Sequence, residues 1–124
     1  MKDDRGFIKM IMEYCDLISS DLSGIGGDFE SFMSDEKVQR SCSFSLIQIG
    51  EYARRISDNT RMRYSDVDWI GIISMRNVIT HNYANIDVRQ MWNTVTEDVS
   101  ELRERLIEIL KQMDSESVSD VKHL

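Results

Sequence analysis

Proline is absent from this chain, so no helix is obliged to kink or stop for want of a backbone N–H. Glycine is scarce, and half of its six copies sit in one cluster, Gly24, Gly26 and Gly27. Only two cysteines are present, Cys15 and Cys42, each among apolar residues at helical spacing. They read as two reduced, buried thiols rather than a disulfide or a metal pair. His81 and His123 are the only histidines and lie far from both cysteines, so no zinc-ligand spacing exists and no metal or other cofactor is expected. No apolar run approaches the ~18 residues that a membrane span requires. The start, Met1-Lys2-Asp3-Asp4-Arg5, turns acidic at once and lacks a signal-peptide core, which points to the cytoplasm.

What is present suits one soluble domain: 124 residues, 41% hydrophobic and 30% charged. The net charge of −7 argues against a general nucleic-acid binder. Its distribution is uneven, because residues 51–90 carry six arginines against five acids while both flanking segments are acidic. Arginine suits bidentate phosphate contact, although such a run is also an ordinary solvated surface.

Periodicity divides the chain into helices. Phe7, Ile11, Tyr14 or Cys15, Ile18 and Leu22 form the stripe of a first helix, about Asp4 to Leu22, which the glycine cluster ends. A short segment, Asp28 to Met33, is expected to form a helical turn over the core. The second long helix is expected to start near Ser34 as N-cap and to bury Val38, Cys42, Leu46 or Ser45, Ile49, Ala53 and Ile56. Asp58 to Tyr64 reads as a polar connection. Ser65 is the next expected N-cap, opening a third helix whose core contacts are Trp69, Ile70, Ile72, Ile73, Val78 and Ile79. Asp87, with Gln90 three residues on, opens the last helix, and its stripe runs from Val88 to Met113. The expected architecture is all-α, an up-and-down four-helix bundle with an extra short helix over residues 1–113, followed by a polar, mobile tail at 114–124.

One segment is an odd one to place for stability alone. Arg76-Asn77-Val78-Ile79-Thr80-His81-Asn82-Tyr83 places a strongly polar set at the end of a core-forming helix. An ideal helix separates residues five apart by about 140° and about 7.5 Å. Arg76 and His81 therefore diverge unless the helix unwinds near His81 or a second copy of the chain completes the site. Asn77 and His81, four apart, share a face. A simpler account is that the arginine and histidine oppose the helix dipole at its C-terminus, with Tyr83 an ordinary half-buried aromatic. Arg54 and Arg55 admit two readings as well, either contacting a phosphate backbone or serving as solvent-facing partners of Glu51, Arg55 being four residues from it.

The same segment resembles the Arg-x4-His-x-Tyr signature of the HEPN superfamily, specifically its HepT-like toxin branch. Supporting likenesses are spread along the chain. Ile49-Gly50-Glu51-Tyr52-Ala53-Arg54-Arg55-Ile56-Ser57 resembles that family's "IGEAAKRLS" segment, and Trp69 stands where it has its usual tryptophan. Asp87, Trp92-Asn93-Thr94-Val95 and Leu102 resemble its closing helix. Ser74, and Val99-Ser100 in place of the frequent Leu-Pro, depart from the pattern without touching the motif. The resemblance covers about residues 5 to 110. It implies a metal-independent endoribonuclease acting as a homodimer or higher oligomer, the toxin of a type VII-like pair. Its partner would be a nucleotidyltransferase antitoxin that transfers AMP to Tyr83.

The residue types suit such chemistry. Cleaving RNA without a metal needs a base for the 2′-hydroxyl proton and an acid for the leaving 5′-oxygen, and histidine serves as either near neutral pH. Arg76 would stabilise charge building on the phosphorane, Asn77 would orient the phosphate or His81, and a 2′,3′-cyclic phosphate would result. The alternative is a non-catalytic, modifiable partner subunit of the nucleotidyltransferase, with Tyr83 as acceptor.

Overall fold

Apolar residues three and four apart close into helices throughout the computed structural model, which describes residues 4–122, with side chains through residue 116. The helices are α1 (Asp4–Gly24), α2 (Phe29–Ser34), α3 (Glu36–Arg55), α4 (Asp58–Arg63), α5 (Trp69–Asn82), α6 (Val88–Asn93) and α7 (Val99–Lys122). A 3-10 turn, Tyr83–Asn85, leads from α5 towards α6, and a π turn, Thr94–Asp98, fuses α6 and α7 into one rod. No strand occurs among the described residues, so the all-α expectation holds, with four long rods and two short helices.

α3 is the central helix: α1 packs on one side of it, α5 on another, and α7 lies against α1. Their shared core is aliphatic and includes Ile8, Ile11, Ile18, Ile49, Leu106 and Ile109. Cys15 and Cys42 are free and buried within it, and burial pushes each thiol up to about 12. Gly26 and Gly27 take positive φ of 84° and 73°, and the Gly27 N–H returns to the Leu22 carbonyl at 2.9 Å, which terminates α1.

Several boundaries move from where the sequence pattern put them. Asp35, not Ser34, caps α3, its carboxylate accepting from the Val38 N–H, while the Ser34 hydroxyl donates back to the Glu30 carbonyl. Asp58 to Tyr64 is not a plain connection but mostly helix, α4, capped by Ser57. Asp68, not Ser65, caps α5 by accepting from the Gly71 N–H. Within α5 only Trp69 and Ile79 are buried, whereas Ile70 is 79% and Val78 54% exposed, so these two are not core residues. α7 continues through the polar segment to Lys122, and Asp114 and Glu116 pair with Arg5 and Arg63. His123 lies outside the described residues.

Candidate functional site

The site begins at a missing side chain. Gly50 is buried where α3 crosses α5, and a Cβ there would lie 2.3 Å from the Cβ of Arg76. Glycine thus lets Arg76 come down onto α3, one residue from Glu51. The Arg76 Nε stands 2.8 Å from Glu51 Oε1, and neither of these buried atoms completes an aligned hydrogen bond. Charge rather than hydrogen-bond geometry holds the guanidinium there. Its Nη1 remains a donor elsewhere, giving a hydrogen bond to Asn77 Oδ1 at 2.9 Å.

Glu51 is shared. Arg54 Nη2 donates to its Oε2 at 3.1 Å, and this bond, helped by the charges of Arg54 and Arg76, holds the Glu51 carboxyl below the usual glutamate range against the opposing effect of burial. The partner four residues away is not the one chosen: Arg55 lies over the Tyr52 ring, 5.2 Å from its centroid. Three arginines therefore surround one carboxylate, leaving a positive excess on this face of α3 and α5.

α5 remains helical through Asn82, so it does not unwind to turn His81 back towards Arg76. His81 is exposed in the last turn of the helix, and within one chain the structure does not bring it to Arg76. Asn77 is likewise exposed and is engaged by Arg76 rather than by His81. The helix dipole accounts for a histidine in the last turn, but not for Arg76, which lies before that turn and turns to Glu51. Tyr83 opens the 3-10 turn with 42% exposure, and an Asn85 to Asn82 side-chain bond of 3.0 Å closes that turn.

A second feature of α5 escaped sequence reasoning. Ile70, Ser74, Asn77, Val78 and His81 are all exposed and recur at helical spacing, so they form one uncovered stripe ending at the histidine. The signal lay in the sequence as a third helix with apolar residues on more than one face. A single chain with that pattern does not say which face is core. Glu51 as the counter-charge of Arg76 was also missed, since pairing across helices leaves no spacing to read.

No cluster among the described residues has the three or more His, Cys, Asp or Glu side chains that a metal site needs. No helix of the described residues is long and apolar enough to cross a membrane.

Comparison with known proteins converges on one family. The model of the family described as "Ribonuclease HepT-like" matches residues 8–109. A protein of Caldanaerobacter subterraneus named "Putative RNase TTE0752" is 30% identical over 112 residues, covering 90% of this chain and 98% of its own length. A Thermococcus cleftensis protein named "Probable ribonuclease HepT" is 31% identical over 67% of this chain and 76% of its own. A Methanocaldococcus jannaschii protein named "Putative RNase MJ0127" is 28% identical over 97% of this chain and 98% of its own. No solved structure matches the chain significantly.

Proposed function

The chain belongs to the ribonuclease HepT-like family, and from that premise we propose that it is a metal-independent endoribonuclease whose cleft forms between two copies of the chain. The observation that carries this reading is the arrangement on α5: Arg76 anchored on Glu51, His81 exposed at the helix end, and an uncovered stripe joining the histidine to Ile70. A stripe of this kind, with Ile70 and Val78 exposed among small and polar residues, is a natural seat for a symmetric partner. Pairing two such stripes would bring two copies of His81 into one cleft flanked by Arg76.

In that cleft one imidazole takes the 2′-hydroxyl proton as the oxygen attacks phosphorus, and the other protonates the departing 5′-oxygen. Arg76 bears on the phosphorane, where negative charge is greatest, and Asn77 orients that guanidinium through its amide oxygen. Glu51 is a positioning residue. Arg54 and Arg55 lie on the exposed side of α3 and offer the RNA backbone two further cations. The products are a 2′,3′-cyclic phosphate and a 5′-hydroxyl.

Tyr83 stands two residues beyond His81 with its ring partly in solvent, which suits a hydroxyl acceptor for AMP. Modification by a nucleotidyltransferase antitoxin would add bulk and negative charge where the RNA phosphate must sit, and so silence the toxin. The same exposure also fits the alternative role, a non-catalytic acceptor subunit.

Incubating purified chain with RNA in excess chelator, beside His81→Ala and Arg76→Ala, tests the reading. Cleavage by wild type alone, ending in cyclic phosphate, is the expected result, with each variant reduced ~100-fold or more. Cleavage that persists in both variants removes the enzyme reading, and silence from all three, with AMP still accepted at Tyr83, favours the acceptor subunit.

A further inference from the structure

A sizeable cavity of the molecule is not lined by Arg76 or His81. It is a groove of about 630 Å³ between α3, α5 and the start of α7. It exists because α5 leans on α3 and makes at most marginal contact with α7. Its floor is apolar, formed by Leu46, Ile49, Ile72, Met75 and Leu102. Its rim is acidic: Asp66, Asp68, Asp98 and Glu101. Arg105 is the only basic residue lining it, and its charge is already spent on Asp66, at 2.5 Å, and on Glu108. Asp98 and Glu101 have no ion-pair partner among the described residues.

The wall carrying Thr94 and Asp98 is the π turn, a local departure from α geometry of a kind found often at functional sites. Three hydroxyls, those of Thr94, Thr96 and Ser100, donate to carbonyls four residues earlier and so compete with the helix ladder there. This wall is therefore built differently from the rest of the rod, and it faces the groove.

We propose that this groove receives a basic amphipathic helix from a partner protein. A furrow between helices with exposed apolar rows is the ordinary seat for one more helix, whose apolar side chains enter at three- and four-residue steps. The acidic rim then selects the sign of the flanking charges, since lysine or arginine beside the apolar stripe would meet Asp98 and Glu101. RNA is excluded by the same charge. This docking surface is separate from the α5 stripe and does not depend on the ribonuclease reading.

The test uses two synthetic helical peptides of about fourteen residues, the length of α5. Both carry leucine at three- and four-residue steps, one with lysine and one with glutamate at the remaining positions. Isotope-labelled full chain is titrated with each and followed by amide chemical shifts. The lysine peptide is expected to move the amides of Val67, Gly71, Ile72 and Leu102, and the glutamate peptide to move none. Asp98→Asn with Glu101→Gln should weaken the lysine peptide ~5-fold, the scale of two lost exposed ion pairs, and leave RNA cleavage unchanged. Glu13→Gln with Glu30→Gln makes the same charge change away from the groove and should not weaken it.

Equal binding of both peptides, shifts mapping elsewhere, or equal weakening by the two double variants would overturn the proposal. So would a change in oligomeric mass in the groove variant, which would make the occupant a second copy of this chain. Shifts at these amides caused by RNA would overturn it as well.

Discussion

Arg76 owes its position to an atom that residue 50 does not have. Gly50→Ala would gain about 1 kcal/mol of helix propensity, yet its methyl would meet the Arg76 Cβ, which no rotamer change can move aside. The helices must part, at a cost of about 1–3 kcal/mol, so the net effect is a loss of stability, visible as a lower midpoint in thermal denaturation. Cleavage should fall further than stability does, because the guanidinium is displaced with its helix. Glu51→Gln separates position from packing. It keeps the shape but removes the charge that holds the Arg76 Nε at 2.8 Å, and the chain should stay folded with a small drop in melting midpoint yet lose ~10-fold or more in cleavage. Full activity in Glu51→Gln would show that Asn77 alone suffices to aim the arginine.

At the level of the elements, the helix caps decide where the rods start, and one of them is tied to a distant carboxylate. Asp4, buried at the head of α1, accepts from the Ser57 N–H at 3.0 Å and from the Ser57 and Thr60 hydroxyls at 2.6 Å each. Burial opposes its ionisation, but the hydrogen bonds from Ser57 and Thr60 outweigh that and hold its carboxyl below the usual aspartate range. With a folded pKa depressed below the unfolded value near 3.9, the stabilisation is complete above that pH and is lost as pH falls towards the folded value. Asp4→Asn should cost about 2 kcal/mol at neutral pH and flatten the acid limb of the stability curve, measured by denaturant titration across pH 2 to 7. The link between α1 and α4 also shows why parts of the fold were hidden from the sequence. The stripes of α1 and α3 were legible because a helix with one buried face repeats its apolar residues visibly. α4 was read as a connection because none of its residues is buried, and its order comes from Ser57 and Asp4 instead. The π turn was invisible too, since inserting one residue into a register leaves the apolar steps of Met91, Val95 and Val99 intact. The motif residues were named from the sequence, while Glu51 and Gly50 were not assigned their places beside Arg76, because contacts between helices have no period along the chain.

For the whole molecule, the question is whether one copy is enough. Ile70 is among the most exposed large apolar residues and sits on the same stripe as His81, about three turns away. An aspartate there touches no core contact, so Ile70→Asp should keep the helical content of the wild type, its melting midpoint falling only by the association it loses. If two stripes face each other across a symmetry axis, however, the substitution places two carboxylates together in the joint. Like charges desolvated at an interface oppose association by several kcal/mol, enough to leave monomers at micromolar concentration. Light scattering should then report the single-chain mass, and cleavage should be lost although Arg76 and His81 are untouched. A second measurement reaches the same point without changing the interface. Adding excess His81→Ala chain to wild type draws each wild-type copy into a mixed pair with one imidazole. If the cleft needs two, activity falls towards that of the variant as the titration proceeds. Sites contained within single chains would instead retain all of the wild-type rate, and a folded Ile70→Asp monomer that still cut RNA would agree with them.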